Sequence, residues 1–328
     1  MAEIETLYFN NVNFPNAHSG PGFVALSHFP HKRGIAFEYN EAFFAAGINN
    51  GGEVFGISKL HCDAKNCREW VLKSFGDGNP ESKECEPGVY YKRMRRWNSS
   101  LLSGGYPVNL YKKERDDTCV ALRILFKKLE EIFETVEPND SNKKCYGHKI
   151  REVLLLACME VESGWTAVLK ENNYTKKSTF NTNDYIKLKS AMGLDIYTVA
   201  LKSNPGFATF NPFEGWNETK PTESLPWYNA YNNVKHDREK NLHFATLEMA
   251  VQACAAALVM FNAQFRYVEV HQGDARYHFM HSIFQLMTTN TAEYEKDSYI
   301  SKWTMERGIS MPSPVHEWIA KDYPFNNK

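Results

Sequence analysis

The sequence has almost no net charge. Its 38 Lys and Arg side chains are cancelled by 39 Asp and Glu, leaving a formal charge of -1 at pH 7. That excludes nucleic-acid coating through a field spread over the whole surface, so any contact with a polyanion must come from a local patch. Long apolar runs are also lacking, and none approaches the roughly 20 residues that span a bilayer. The first residues, Met1-Ala2-Glu3-Ile4-Glu5, are acidic where a secretory signal is basic. A cytoplasmic location with no membrane partner is the resulting expectation. Cysteine is sparse and odd in number: Cys62, Cys67, Cys85, Cys119, Cys145, Cys158 and Cys254 are scattered like reduced thiols, not like a disulfide framework. His61-Cys62 with Cys67 and Cys85 matches no regular zinc motif, since a second close ligand pair is missing. Neither a metal nor a cofactor is expected. There are no internal repeats and no low-complexity segments.

What is present is an ordinary globular composition, 43% hydrophobic and 23% charged over 328 residues. At about 100 to 200 residues per domain this allows two domains, or one with extensions. Residues 1–110 read as a small, irregular α+β region of unassigned role. Phe23-Val24-Ala25-Leu26, Ile35-Ala36-Phe37-Glu38-Tyr39 and Val54-Phe55-Gly56-Ile57 are its short β-like runs, and Asn49-Asn50-Gly51-Gly52 and Gly76-Asp77-Gly78-Asn79-Pro80 its turns. Near its end Lys92, Arg93, Arg95 and Arg96 lie between the aromatics Tyr90-Tyr91 and Trp97. Such a run suits stacking on bases and pairing with phosphates, and equally a solvated surface whose aromatics turn inward.

From about Glu114 the period becomes helical. Val120, Ile124, Leu125, Leu129, Ile132 and Phe133 mark an amphipathic helix that ends before Pro138, and a short polar loop predicts an antiparallel neighbour from about Tyr146 to Glu171. That neighbour is apolar nearly all round at Val153–Met159, as a buried central helix would be. Glu160 and Glu162 follow it directly. A carboxylate at Glu160 needs a partner, for which Lys235, His236 and Arg238 are candidates, or else an outlet to solvent. Asn181-Thr182-Asn183-Asp184-Tyr185 reads as a capped helix start. Residues 203–224 read as a long aromatic-rich loop, and residues 243–265 as an alanine-rich helix that completes a bundle or builds a dimer face. Residues 266–328 carry a further helical pattern through Met280, Phe284 and Met287, then a proline-punctuated tail.

The stretch from Pro226 to Lys240 concentrates the reactive side chains. Proline suits a first helical turn and Ser224 could cap it. A helix from Pro226 would align Trp227, Tyr231 and Val234 on a packing stripe, with Asn229, Asn232, Asn233, His236 and Lys240 on the other face. Trp227, Tyr231, Asn232, Val234, Lys235, His236 and Arg238 spell Trp-x3-Tyr-Asn-x-Val-Lys-His-x-Arg. This segment resembles a signature found in bacterial members of the HEPN superfamily (higher eukaryotes and prokaryotes nucleotide-binding). Ala157–Glu162 and Thr182–Tyr185 look similar as well, and the likeness covers roughly residues 113–265.

The resemblance implies a mainly α protein: a HEPN-like helical bundle over residues 111–265, with the α+β region before it and a C-terminal helical extension after it. It also implies a homodimer that binds RNA or nucleotides. Many such proteins are metal-independent ribonucleases of phage defence or toxin–antitoxin systems, with a defence or antitoxin partner. Those enzymes use an arginine, four to six residues, then a histidine. The histidine moves a proton at the ribose hydroxyl or leaving oxygen, and the arginine stabilises charge on the phosphate. Tyr231 stands where that arginine belongs, although Asn232 fits the polar position after it. The expected site is therefore His236, Arg238 and Asn232, with Lys235, Tyr231, Glu160, Glu162 and His243 in support. Arg238 with His243 is a second register of the same spacing, as are Arg266 with His271 and Arg276 with His281. A non-catalytic module remains the alternative, with Asn232 and His236 satisfying buried groups and Lys235 or Arg238 pairing with Glu160 or Glu162.

Overall fold

The computed structural model describes residues 4–14, 29–48, 54–94, 111–174, 179–202, 207–265, 278–288, 295, 297–305, 312–315 and 317–325. The chain forms two compact units: one from Met1–Tyr90, Arg96–Val108 and Thr291–Lys321, the other from Tyr91–Arg95, Asn109–Asn290 and Asp322–Lys328. With 46% helix and 20% strand the protein is an α+β mix, which corrects the mainly α expectation.

The first unit is where that expectation fails. Strands β1 (Thr6–Asn10), β2 (Arg33–Tyr39), β3 (Ala42–Gly47), β4 (Val54–Ser58) and β5 (Glu81–Ser82) form one antiparallel sheet in the order β4-β3-β2-β1-β5. It is regular, with Tyr8 opposite Ile35 and Phe37 opposite Phe44. Helix α1 (Cys67–Phe75) covers one face, burying Trp70, Val71 and Phe75 against Leu7, Phe9, Ala36, Phe43 and Ala45. Asn66 caps its start by accepting from the Glu69 amide at 2.9 Å, and Gly76, in the left-handed region at φ 80°, ends it. The other face carries Tyr8, Ile35, Phe37, Phe44 and Ala46 and is covered by Ile300, Trp303 and Met305. The latter two belong to β9 (Lys302–Met305), which pairs antiparallel with β10 (Pro312–Val315). A Cβ added at Gly56 would stand 2.8 Å from Met305 Sδ and 2.9 Å from the Phe44 ring, so glycine there lets these side chains pack closely over β4. Because both faces are buried, β1 and β3 are apolar without alternation, which is why neither shows a strand period in the sequence.

The second unit holds the helices α2 (Lys112–Phe133), α3 (His148–Glu171), α6 (Pro226–His236) and α8 (Leu247–Phe265), with the short α4 (Thr182–Tyr185), α5 (Leu188–Met192) and α7 (Arg238–Asn241). On α2 the buried stripe is Leu122, Leu125, Phe126, Leu129 and Ile132, while Val120 and Ile124 lie on the opposite face, 47% and 54% exposed. Helix α8 is buried nearly all round and packs along α3. Gly164 of α3 leaves room for an α8 side chain, since a Cβ there would meet Gln264 Nε2 at 3.1 Å. Among the described residues α8 is the one helix long and apolar enough to cross a membrane, and it lies inside this unit. Asn181 and Asp184 form a reciprocal capping box at α4. The helical pattern expected through Phe284 and Met287 ends at Ile283. Phe284–Thr288 is instead strand β8, antiparallel to β7 (Tyr197–Leu201), with the Phe284 ring edge-on to Phe126 at 5.3 Å. The expected run Phe23–Leu26 and the turn Asn49–Gly52 lie outside the described residues.

Trp70 is fully buried, stacked on Phe43 at 5.5 Å and edge-on to Phe75. Trp70→Ala should therefore destabilise the protein by about 3–5 kcal/mol. Chemical denaturation would measure this, and a loss below about 1 kcal/mol would refute the packing of α1 on the sheet.

Candidate functional site

Helix α6 begins at Pro226, whose missing amide hydrogen costs nothing in the first turn. Ser224 does not cap it. Its Oγ accepts from the Asn217 amide at 3.1 Å, and the N-cap position falls to Leu225, which makes no side-chain cap bond. What holds the helix start is burial. Trp227 is fully buried and donates from Nε1 to the Pro212 carbonyl at 2.7 Å. Around it the loop before α6 contributes Phe213 and Trp216, and α3 contributes Trp165, stacked on Trp216 at 5.2 Å. Trp227, Tyr228, Tyr231 and Val234 form the buried stripe of α6.

A polar clasp runs through this aromatic core. Glu162 of α3 accepts from the Tyr228 hydroxyl at 2.5 Å and from the Tyr231 hydroxyl at 3.1 Å. Lys235, one turn further along α6, donates from Nζ to the Tyr231 oxygen at 2.9 Å. Burial, then the Glu162 carboxylate, pushes the Tyr228 phenol up. Burial also leads the rise at Tyr231, opposed by the hydrogen bond from Lys235. The tyrosines therefore stay protonated and act as donors, and Lys235, raised by its bond to Tyr231, stays charged. Every member of the clasp is spent on another member. The sequence marks Glu162, Tyr231 and Lys235, whereas Tyr228, hidden among neighbouring aromatics, was missed.

The other expected residues stand at the exposed end of α6. His236 is its last residue and is exposed. Asp237 closes α6 and opens α7, its carboxylate accepting from the Lys240 amide at 3.2 Å. Arg238 and Lys240 on α7 are exposed, as is His243, whose ring lies 4.2 Å from that of Phe244. Among the described residues the side chains of His236 and Arg238 make no hydrogen bond or ion pair. Asn232 donates back to the Tyr228 carbonyl at 3.0 Å, a bond within its own helix. One cation unmarked in the sequence joins this rim: Arg151 of α3 donates from Nη2 to the Val234 carbonyl at 3.4 Å, while its buried Nε has no partner. It lies far from α6 along the chain, so no local spacing could reveal it.

The remaining expected residues lie elsewhere. Glu160 is half-buried with no ion pair to Lys235, His236 or Arg238, and burial pushes its carboxyl up. Lys92 pairs with Asp322 at 2.8 Å, and Arg93 donates to Gln264 at 3.1 Å beside the rings of Tyr111 and Phe265. These two cations serve contacts within the second unit, while Arg95 and Arg96 lie outside the described residues. So do Arg266, His271 and Arg276 of the alternative registers. Among the described residues no three His, Cys, Asp or Glu side chains gather as metal ligands.

Glu160 and Glu162 make opposite predictions. With its pKa raised by burial, Glu160 holds a proton longer in the folded than in the unfolded chain. Stability attributable to it thus falls as pH rises from the ordinary glutamate value of about 4.3 through the raised one. Glu160→Gln should raise Tm at pH 7 by about 1–2 °C, with the gain vanishing near pH 4. Glu162→Ala removes the acceptor of two hydroxyl donors, at about 1–3 kcal/mol each, and should lower Tm at both pH values.

The chain matches no family model, no curated protein and no solved structure, so the chemistry of this surface carries its own reading.

Proposed function

We propose that this protein is a HEPN-type RNA-targeting protein that cleaves RNA without a metal at the exposed end of α6. One observation carries the reading. His236 at the end of α6 and Arg238 at the start of α7 are exposed beside a helix anchored by five buried residues, and neither is spent on the fold. Imidazole is the side chain that gives and takes protons near neutral pH, so His236 is suited to take the ribose 2′-hydroxyl proton or to protonate the leaving oxygen. Arg238 supplies a planar donor fork for the charge that builds on phosphate. Arg151, tied to the Val234 carbonyl, brings a second guanidinium to the same end of α6 and answers in part for the arginine that Tyr231 displaces. Asn232 and Lys235 position the helix and take no part in proton transfer.

A non-catalytic RNA-binding module is the second reading. Tyr231, at the family's arginine position, is fully committed to Glu162 and Lys235, as a structural clasp requires.

Incubation of the full chain with total RNA in EDTA separates the two. Cleavage should occur and fall at least about 100-fold in His236→Ala and about tenfold or more in Arg238→Ala, with Tm unchanged in both. Cleavage that survives both substitutions rejects the assignment of the site. RNA binding without cleavage, weakened by Arg238→Ala, establishes the binding module in its place.

A further inference from the structure

The sheet unit holds a cavity of about 930 Å³, within the range of small-molecule sites. Its charged lining is Glu5, Glu38, Glu41, Glu86, Lys302 and Lys321. Most of these charges are already answered. Glu5 pairs with Arg68 at 2.7 Å, Glu38 with Lys59, and Glu86 with Lys321 at 2.6 Å while also accepting from the Ile4 amide. Lys302 and Glu41 remain. Among the described residues neither side chain has a hydrogen bond or an ion pair.

Lys302 is only 8% exposed. Its stem packs beside Gly88, where an added Cβ would stand 3.1 Å from Lys302 Cγ, and its Nζ lies 5.9 Å from the centre of the Tyr39 ring. Burying an ammonium group without a carboxylate in direct contact costs more than so distant a ring returns. Glu86, already bonded to Lys321 and the Ile4 amide, acts on it only through space. Glu41 is exposed, and its cost lies in the backbone. It is the second residue of the two-residue turn joining β2 to β3, where Asn40 and Glu41 both have positive φ, 47° and 58°. Glycine is the residue such a turn favours at this position, so a glutamate there is held against its backbone preference.

We propose that this cavity binds a zwitterion, a free amino acid or a short peptide, with its carboxylate on Lys302 and its ammonium group on Glu41. With the other charges paired, the lining is neutral apart from one cation and one anion. That complements a ligand bearing one of each, and disfavours a multiply charged phosphate among four glutamates. Ile4, Val89 and Ile319 in the wall offer apolar surface to a side chain.

The test uses the full chain, the twenty L-amino acids and glycine-led dipeptides one at a time, with calorimetry and thermal shift as readouts. At least one zwitterion should bind, and its C-terminal amide and its N-acetyl form should each bind about tenfold or more weakly. Lys302→Gln should weaken binding by a similar factor without lowering the ligand-free Tm. Glu41→Gly should raise the ligand-free Tm while weakening binding, a combination that a purely structural glutamate would not give. Failure of every zwitterion to bind, or undiminished binding in Lys302→Gln, overturns the proposal. His236→Ala should leave this binding unchanged, so the outcome is independent of RNA cleavage.

Discussion

A carboxylate on the packed face of a helix must find donors before anything can pack over it, and Glu162 sets this condition for the helical unit. Two tyrosine hydroxyls one turn apart on α6 meet the demand, and Lys235 completes the chain of donors. The bonds do more than satisfy charge. They fix the rotation of α6 about its own axis, because any other rotation would leave Glu162 or a phenol unpaired in the aromatic core. With that rotation set, Trp227 faces Trp165 and Phe213, and the end of the helix delivers His236 to solvent. A buried structural network and an exposed reactive rim are two outcomes of one constraint.

The site was legible as a segment but not as an arrangement. The 3.6-residue period through Trp227, Tyr231 and Val234 located the buried stripe, and the side chains left over included His236. Which polar groups met was not readable. Glu160 and Glu162 look alike in sequence, both directly following an apolar run, yet one half-turn of helix separates a carboxylate met by two phenols from one met by none. Arg151 joins the end of α6 from a helix distant in sequence, a coincidence of packing that no local pattern encodes. Ser224 illustrates the opposite case: its hydroxyl has a recognisable capping role, but the nearby Asn217 amide claims it first.

Legibility of the fold followed the same line. Helices α2, α3 and α8 carry strong periods or long apolar runs and were visible within a few residues of their ends. The sheet was visible only in pieces. Ala42-Phe43-Phe44-Ala45-Ala46-Gly47 is poor in β-branched residues and lacks alternation because both of its faces are covered. Phe284-Gln285-Leu286-Met287-Thr288 was drawn toward a helical reading by Met280, Phe284 and Met287. Pairing with β7 overrode that weak preference.

The cover on the second face of the sheet comes from Ile300, Trp303 and Met305, whereas the strands it protects are complete by Ser58. Order of synthesis therefore matters to this chain. At translation rates of about 5–20 residues per second, Ile35, Phe37 and Phe44 wait roughly tens of seconds for their covering strand to leave the ribosome. A sheet that forms in that interval has one apolar face open to water. Production of the protein thus depends on what shelters that face until the last strand arrives.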